Sequence, residues 1–260
     1  MNKLIFALGI TATMSAGMPA SADENVMSDK NTIEKETPVT LYLPPVEGTR
    51  AERVIWLCEE LGVPYTVVTP PGDFMESSKA MKKINTMGTL PTAKVGDTTI
   101  VESGGILQLI EMKLAEGGTT PAIDSPDLAY HLQWLHYAEG SAMTRISTEY
   151  LLKAVGGKPE HTMQTQRHMQ GTRRVLNYME EHLGEHPYFG GENFTSADIM
   201  MHFPIKQAVY LNKADLDQYP NIVAWRQRVE SRPAFARAKV QKEVIPPSFA
   251  RPPGDKKSGL

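Results

Sequence analysis

Apolar positions in the first third of the chain alternate between two spacings, and the switches between them predict a run of short elements. Thr40-Leu41-Tyr42-Leu43 is strand-like and stops at Pro44-Pro45. After the loop Val46-Glu47-Gly48, Val54, Leu57, Cys58 and Leu61 recur at helical steps until Gly62 ends the segment. Thr49 stands three residues before Glu52, the spacing of a capping box at the start of that helix. Tyr65 to Val68 predicts a second strand, and a helix is expected over Phe74 to Ile84. Thr92 to Val95 and Thr98 to Val101 read as two strands joined by Gly96-Asp97, a pair suited to a tight hairpin turn, and a further helix starts near Ser103.

The order over residues 39–115 is therefore β-α-β, α, β-β-α, a small mixed sheet flanked by helices, which is the order of a thioredoxin-like domain. From Glu116 to Pro126 the chain turns rich in Gly, Thr, Pro and Ser, as a linker does. Everything beyond reads as helix: Asp127 to Val155, Glu160 to Leu183, Ala197 to Leu211 and Asn221 to Ser231, with Gly-Gly or Pro breaks between them. The expected fold is thus α/β plus all-α. A thioredoxin-like domain at 39–115 is followed by a helical domain at 127–243, then by a Pro-rich basic tail at 244–260. No internal repeat is visible.

The first residues follow a different logic. Met1 to Lys3 carries a positive charge, Leu4 to Gly17 is mostly apolar, and Ala20-Ser21-Ala22 offers the small-x-small pattern that signal peptidase accepts. A signal peptide over 1–22, a polar lead-in over 23–38 and an exported, periplasmic protein without a membrane span after cleavage are expected. An uncleaved anchor and a cytoplasmic location are the alternatives. The composition narrows the function classes. The 260 residues carry a net charge of −3 with a pI near 6.2, so the basic surface that nucleic-acid binding needs is missing. The single cysteine, Cys58, excludes an internal disulfide and a multi-thiolate metal site. It falls about two turns inside its helix on the apolar stripe, where a cysteine behaves as a small hydrophobe. His182 and His186 share i, i+4 spacing, but Gly184 and Pro187 argue against a metal pair, and no metal is expected.

Several motifs, in order and correctly spaced, resemble the glutathione S-transferase family, in a bacterial form with a serine- or threonine-type site. Gly48-Thr49-Arg50-Ala51-Glu52-Arg53-Val54 running into Trp56-Leu57-Cys58-Glu59-Glu60-Leu61 is similar to the loop and first helix of the bacterial serine-type members. Thr89-Leu90-Pro91 and Val101-Glu102-Ser103-Gly104-Gly105-Ile106 resemble the glutathione-binding core. Trp134 to Ser141 looks like the family's fourth helix, and Phe194-Thr195-Ser196-Ala197-Asp198-Ile199 is similar to its buried capping motif. The resemblance implies a glutathione transferase with glutathione as co-substrate, a small electrophile as second substrate, and a homodimer.

The chemistry of glutathione sets what each residue would do. Its α-ammonium suits a carboxylate and its α-carboxylate suits a hydroxyl at a helix start, so Glu102 and Ser103 are the candidates, although both also read simply as the start of a capped helix. The resemblance implies a cis Pro91 that leaves the Leu90 backbone facing the tripeptide; an ordinary trans turn is the other reading. A thiol with a pKa of about 8.5 must be made a thiolate, and lowering that pKa by about two units takes roughly 2.7 kcal/mol, within reach of one hydrogen bond plus a helix N-terminus. Thr49 aligns with the family's activating serine, and Tyr42, a phenol near the end of the first strand, is the second candidate. Tyr137, Ser141, Met143 and Arg145 are candidates for the electrophile pocket, or else pack within the helical domain. Thr195 and Asp198 are expected to be structural, as a cap. A peroxidase, isomerase or dehalogenase using the same thiolate, and a non-catalytic carrier of glutathione or hydrophobic ligands, remain the alternatives.

Overall fold

The computed structural model describes residues 39–156 and 162–243. The signal-like segment and the Pro-rich tail lie outside these residues, and so does Glu160, the expected start of the second long helix. Four strands, β1 (Val39–Tyr42), β2 (Tyr65–Val68), β3 (Thr92–Val95) and β4 (Thr98–Val101), form one sheet in the order β2-β1-β3-β4. Strand β1 runs parallel to β2, with Val39 opposite Tyr65, and antiparallel to β3, with Leu41 opposite Ala93. The parallel pair requires a crossover, which is helix α1 (Ala51–Leu61); the β3–β4 pair needs only the two-residue turn at Gly96-Asp97. The two inner strands carry the buried positions, Val39 and Leu41 on β1 and Thr92, Ala93 and Val95 on β3. Helix α1 stops at Gly62, whose φ of 64° puts it in the left-handed region that glycine adopts freely. Helix α2 (Phe74–Met81) is shorter than expected and begins in a capping box between Asp73 and Glu76, and α3 (Ser103–Leu114) closes the domain.

The helical domain contains α4 (Leu128–Tyr137), one wide π turn at Ala138–Met143, α5 (Thr144–Ala154), α6 (Met163–His168), α7 (Gly171–Glu185), α8 (Ser196–Asn212), α9 (Pro220–Glu230) and α10 (Pro233–Glu243). Two sequence expectations need correction. The stretch from Asp127 to Val155 is not one regular helix, because the π turn interrupts it. The expected Glu160 to Leu183 helix is two, broken between His168 and Gly171, where a Cβ on Gly171 would meet the Arg145 carbonyl oxygen at 2.7 Å. Glycine there lets α7 approach the α5 backbone. Helix α10 lies inside the expected helical domain at 127–243, although the residue pattern picks out no helix there: it starts on Pro233, which suits a first helical turn, and offers Ala234, Phe235 and Ala238 to the core.

Helix α8 is buried on nearly every side from Ser196 to Ile205. Its start is the expected Thr195–Asp198 capping box, and Asp198 does more than cap. It also accepts from the Phe189 N–H at 2.8 Å and the Trp225 indole N–H at 2.7 Å. Burial pushes its carboxyl up to about 6 against the pull of these donors.

Several joints fasten the domains together, among them a buried carboxylate and a packed helix pair. Glu111 of α3, fully buried, accepts from both the N–H and hydroxyl of Thr119 and from the Ser196 hydroxyl at 2.9 Å, tying the linker to the head of α8. On the opposite side α10 lies along α1: Phe235 packs 4.8 Å from Trp56, and Arg232 forks onto Glu60 at 2.7 and 2.8 Å. No described helix is long and apolar enough to cross a membrane.

Candidate active site

The site forms where three chain turns meet at the end of the sheet. The first is the loop between β1 and α1. Glu52 does not complete a capping box with Thr49. Its carboxylate accepts from the Gly48 N–H at 2.9 Å and from Lys206 of α8 at 3.0 and 3.1 Å, because the helix begins two residues beyond Thr49 and the loop ahead of it curls back. The Thr49 hydroxyl accepts weakly from the Ala51 N–H at 3.4 Å, and its own proton has no acceptor among the described residues. Tyr42, half-buried, ends β1.

The second turn precedes β3. The Leu90–Pro91 peptide is cis, and Asn85 holds the approach to it through its side-chain bonds to Thr89 and Thr92. Among the described residues nothing bonds the Leu90 N–H or C=O. The third turn joins β4 to α3. Glu102 has φ 69° and ψ 110°, a backbone conformation that an L-residue enters at a cost of about 1–3 kcal/mol and that is found mostly at functional sites. It exposes the Glu102 carboxylate and leaves Ser103, nearly buried, to begin the helix.

One residue of α1 reaches across to the third turn, and sequence reasoning assigned it no role. Arg53 lies on α1 one helical turn after Thr49 and is 2% exposed. Its Nη1 donates to the Ser103 hydroxyl at 3.0 Å and to Glu139 of the π turn at 2.5 Å, while Nη2 donates to the Met200 carbonyl at 2.7 Å. That carbonyl is available because Pro204, four residues on, has no N–H to give it. Burial lowers the Arg53 pKa to about 10, so it stays charged at neutral pH. Burial alone would raise Glu139, but hydrogen bonds from Arg50 at 2.8 and 2.9 Å, together with Arg53, hold its carboxyl below the usual range. The signal that could have found Arg53 is a charge four residues before Leu57, in phase with the apolar stripe of α1.

The remaining candidates are placed as follows. Tyr137 packs on Trp134 at 5.0 Å and Tyr178 at 5.4 Å, and the Arg145 backbone abuts Gly171, so both make contacts inside the helical domain. Ser141 is half-buried within the π turn, and Met143 is buried at its end. A cleft of about 480 Å³ opens beside the Thr49 loop, lined by Glu47, Gly48, Lys206, Gln207, Val209, Tyr210 and Arg226. Cys58 is buried, and burial pushes its thiol up to about 12. His182 and His186 lie 4.7 Å apart in an aromatic cluster with Tyr130 and Trp134. Among the described residues no group of three or more His, Cys, Asp or Glu side chains could hold a metal ion.

Residues 48–119 match the family model of the glutathione S-transferase N-terminal domain and residues 146–233 that of its C-terminal domain, together more than half the chain. The chain belongs to the glutathione S-transferase family. It is 28% identical over 220 residues to glutathione S-transferase 3 of Schizosaccharomyces pombe, covering 79% of this chain and 90% of that one. A second curated relative is the disulfide-bond oxidoreductase YfcG of Escherichia coli, 26% identical over 56% of this chain and 66% of that protein. Among solved structures, the glutathione transferase URE2P8 of Phanerochaete chrysosporium with oxidized glutathione superposes with a TM-score of 0.66 at 20% identity, over 81% of this chain and 97% of that one. The fold of this glutathione S-transferase family member is accordingly the thioredoxin-like sheet with a helical C-terminal domain.

Proposed function

We propose that the chain is a glutathione transferase that makes the glutathione thiol a thiolate and adds it to small apolar electrophiles. The observation that carries this reading is the Thr49 hydroxyl, which stands at the head of α1 with no acceptor for its proton among the described residues, one turn from the Arg53 that touches Ser103. In this arrangement Glu102 takes the α-ammonium of glutathione, Ser103 its α-carboxylate, and the Leu90 N–H and C=O pair with the peptide as a short added strand. A hydrogen bond from Thr49 to sulfur and the start of α1 together favour the charged thiol. Tyr42 is the second donor to test. The electrophile is assigned to the cleft bordered by Gly48 and Tyr210, next to Thr49. The protein acts as a homodimer in the periplasm after loss of residues 1–22.

Similarity to a disulfide-bond oxidoreductase favours one second reading, glutathione-dependent thiol–disulfide exchange. In that case the thiols are supplied by glutathione, since Cys58 is buried and protonated.

The test is a pH titration of thiolate absorbance for glutathione bound to the wild-type chain and to Thr49→Val. Transferase chemistry with Thr49 as activator requires bound glutathione to ionise about two units below its free pKa, and the variant to reverse this. Bound glutathione that stays protonated at neutral pH in the wild type would show a carrier instead. A depressed pKa retained in the variant would move the role to Tyr42.

A further inference from the structure

Helices α5, α6 and α7 are clamped together at one end of the helical domain. Glu149, buried on α5, accepts from the Thr172 N–H at 2.7 Å and from Lys153 at 2.6 Å. The Asn212 amide of α8 donates to the Ile146 carbonyl at 2.9 Å and to the Thr172 hydroxyl at 2.8 Å. With the close approach at Gly171, these bonds fix the base of the hairpin that α5 and α7 form. Beyond that base the chain exposes side chains that a core normally takes: Leu151 is 59% exposed, Val155 79% and Met163 82%. Leu151 and Val155 are one helical turn apart at the end of α5, and Met163 opens α6, which packs against it. Side chains this exposed stand clear of the surface and line no groove.

Positive charge gathers on the same three helices. Residues 140–156 and 162–179 contain the cations Arg145, Lys153, Arg167, Arg173 and Arg174 against a single carboxylate, Glu149, in a chain whose net charge is −3. Glu149 is already committed to Lys153 and Thr172. Arg173 borders a cavity of about 200 Å³ together with Asp215. Arg167 and Arg174 are exposed, and among the described residues neither guanidinium has an ion-pair or hydrogen-bond partner.

We infer that this end of the helical hairpin docks on the surface of an anionic phospholipid bilayer. Leu151, Val155 and Met163 enter the boundary between headgroups and acyl chains, and Arg167 and Arg174 meet the lipid phosphates. A protein partner would have to supply pockets for protruding side chains, whereas a bilayer surface yields to them. The inference goes beyond the glutathione chemistry and does not depend on it.

The experiment follows an environment-sensitive dye on the full chain carrying Gln164→Cys, an exposed position beside Met163; buried Cys58 does not compete for the label. The probes are vesicles of phosphatidylglycerol and phosphatidylcholine in equal parts, and vesicles of phosphatidylcholine alone. Residues 1–38 and 244–260 are common to every protein compared, so differences between variants report on the hairpin. Emission is expected to shift to the blue on the anionic vesicles only, and raising the salt from about 0.05 to about 0.5 M should reverse the shift. Arg167→Gln with Arg174→Gln should weaken the partitioning about 25-fold, at about 5-fold per charge. Val155→Ser with Met163→Ser should weaken it by about 10-fold or more at unchanged charge. No shift on anionic vesicles, an equal shift on neutral ones, or partitioning that neither pair of substitutions alters would each overturn the assignment. A blue shift that grows with protein concentration in the absence of vesicles would also overturn it, since a second copy of the chain would then be the occupant. If a variant fails to fold, the salt and lipid dependence of the labelled parent decides. Glutathione binding is read separately, so its loss or retention leaves this outcome unaffected.

Discussion

His131 of α4 is 1% exposed, and among the described residues neither of its ring nitrogens has a hydrogen-bond partner. Burial first, and the nearby His136 second, lower its pKa from 6.5 to about 4. A base whose pKa is depressed by folding contributes stability above its unfolded pKa, and that contribution is lost as pH falls from 6.5 toward 4. Integrating one proton between these two values gives a loss of about 2.5 kcal/mol on going from about pH 7.5 to about pH 4.5. The wild-type profile alone would not isolate it. Asp198, raised by burial from 3.8 to about 6, and Glu111, also raised by burial, contribute stability at low pH that is lost as pH rises through their folded values. The useful quantity is therefore the difference between wild type and His131→Leu, which conserves volume approximately and leaves no partner unpaired. Urea unfolding followed by tryptophan fluorescence at fixed ionic strength should find the two proteins within about 1 kcal/mol of each other at about pH 7.5. By about pH 4.5 the variant should have gained about 2.5 kcal/mol relative to the wild type. A difference that stays flat across this range would refute the view that His131 is held neutral by burial.

Three further outcomes follow from buried groups elsewhere. Asp198→Ala strands the Phe189 and Thr195 N–H groups and the Trp225 indole N–H, and should cost about 3–5 kcal/mol in chemical unfolding. A loss under about 1 kcal/mol would mean that water replaces the carboxylate. Phe235→Ala removes the ring packed on Trp56 and on His202 at 5.3 Å; it should also cost about 3–5 kcal/mol and shift the tryptophan emission, and an unchanged midpoint would show that α10 is not part of the folded core. Cys58 should resist alkylation in the native protein and react once per chain in denaturant; native labelling at neutral pH would reopen a cysteine-based redox role.

The features legible in the sequence are those that local spacing controls. The stripe Val54, Leu57, Cys58, Leu61 and the left-handed stop at Gly62 define α1, the Gly96-Asp97 turn defines the β3–β4 hairpin, and Thr195 with Asp198 caps α8, because each depends on residues within a few positions of one another. The motifs at Leu90-Pro91 and Glu102-Ser103 took their candidate roles from the family resemblance, since local spacing by itself fits an ordinary trans turn and a plainly capped helix equally well. Only the tertiary structure decided which charges meet. Glu52 is three residues from Thr49, yet it bonds Gly48 and Lys206, 154 positions away in the chain. Arg53 looks like a surface charge on a helix until the fold brings Ser103, Glu139 and Met200 to it from separations of 50, 86 and 147 residues. Helix α10 was missed because its few apolar residues carry little periodicity and gain their meaning only against Trp56. A buried ion must find its partners wherever the fold can supply them, since desolvation without them costs several kcal/mol. Hydrophobic periodicity is a property of one segment, whereas the satisfaction of a buried charge is a property of the assembled chain.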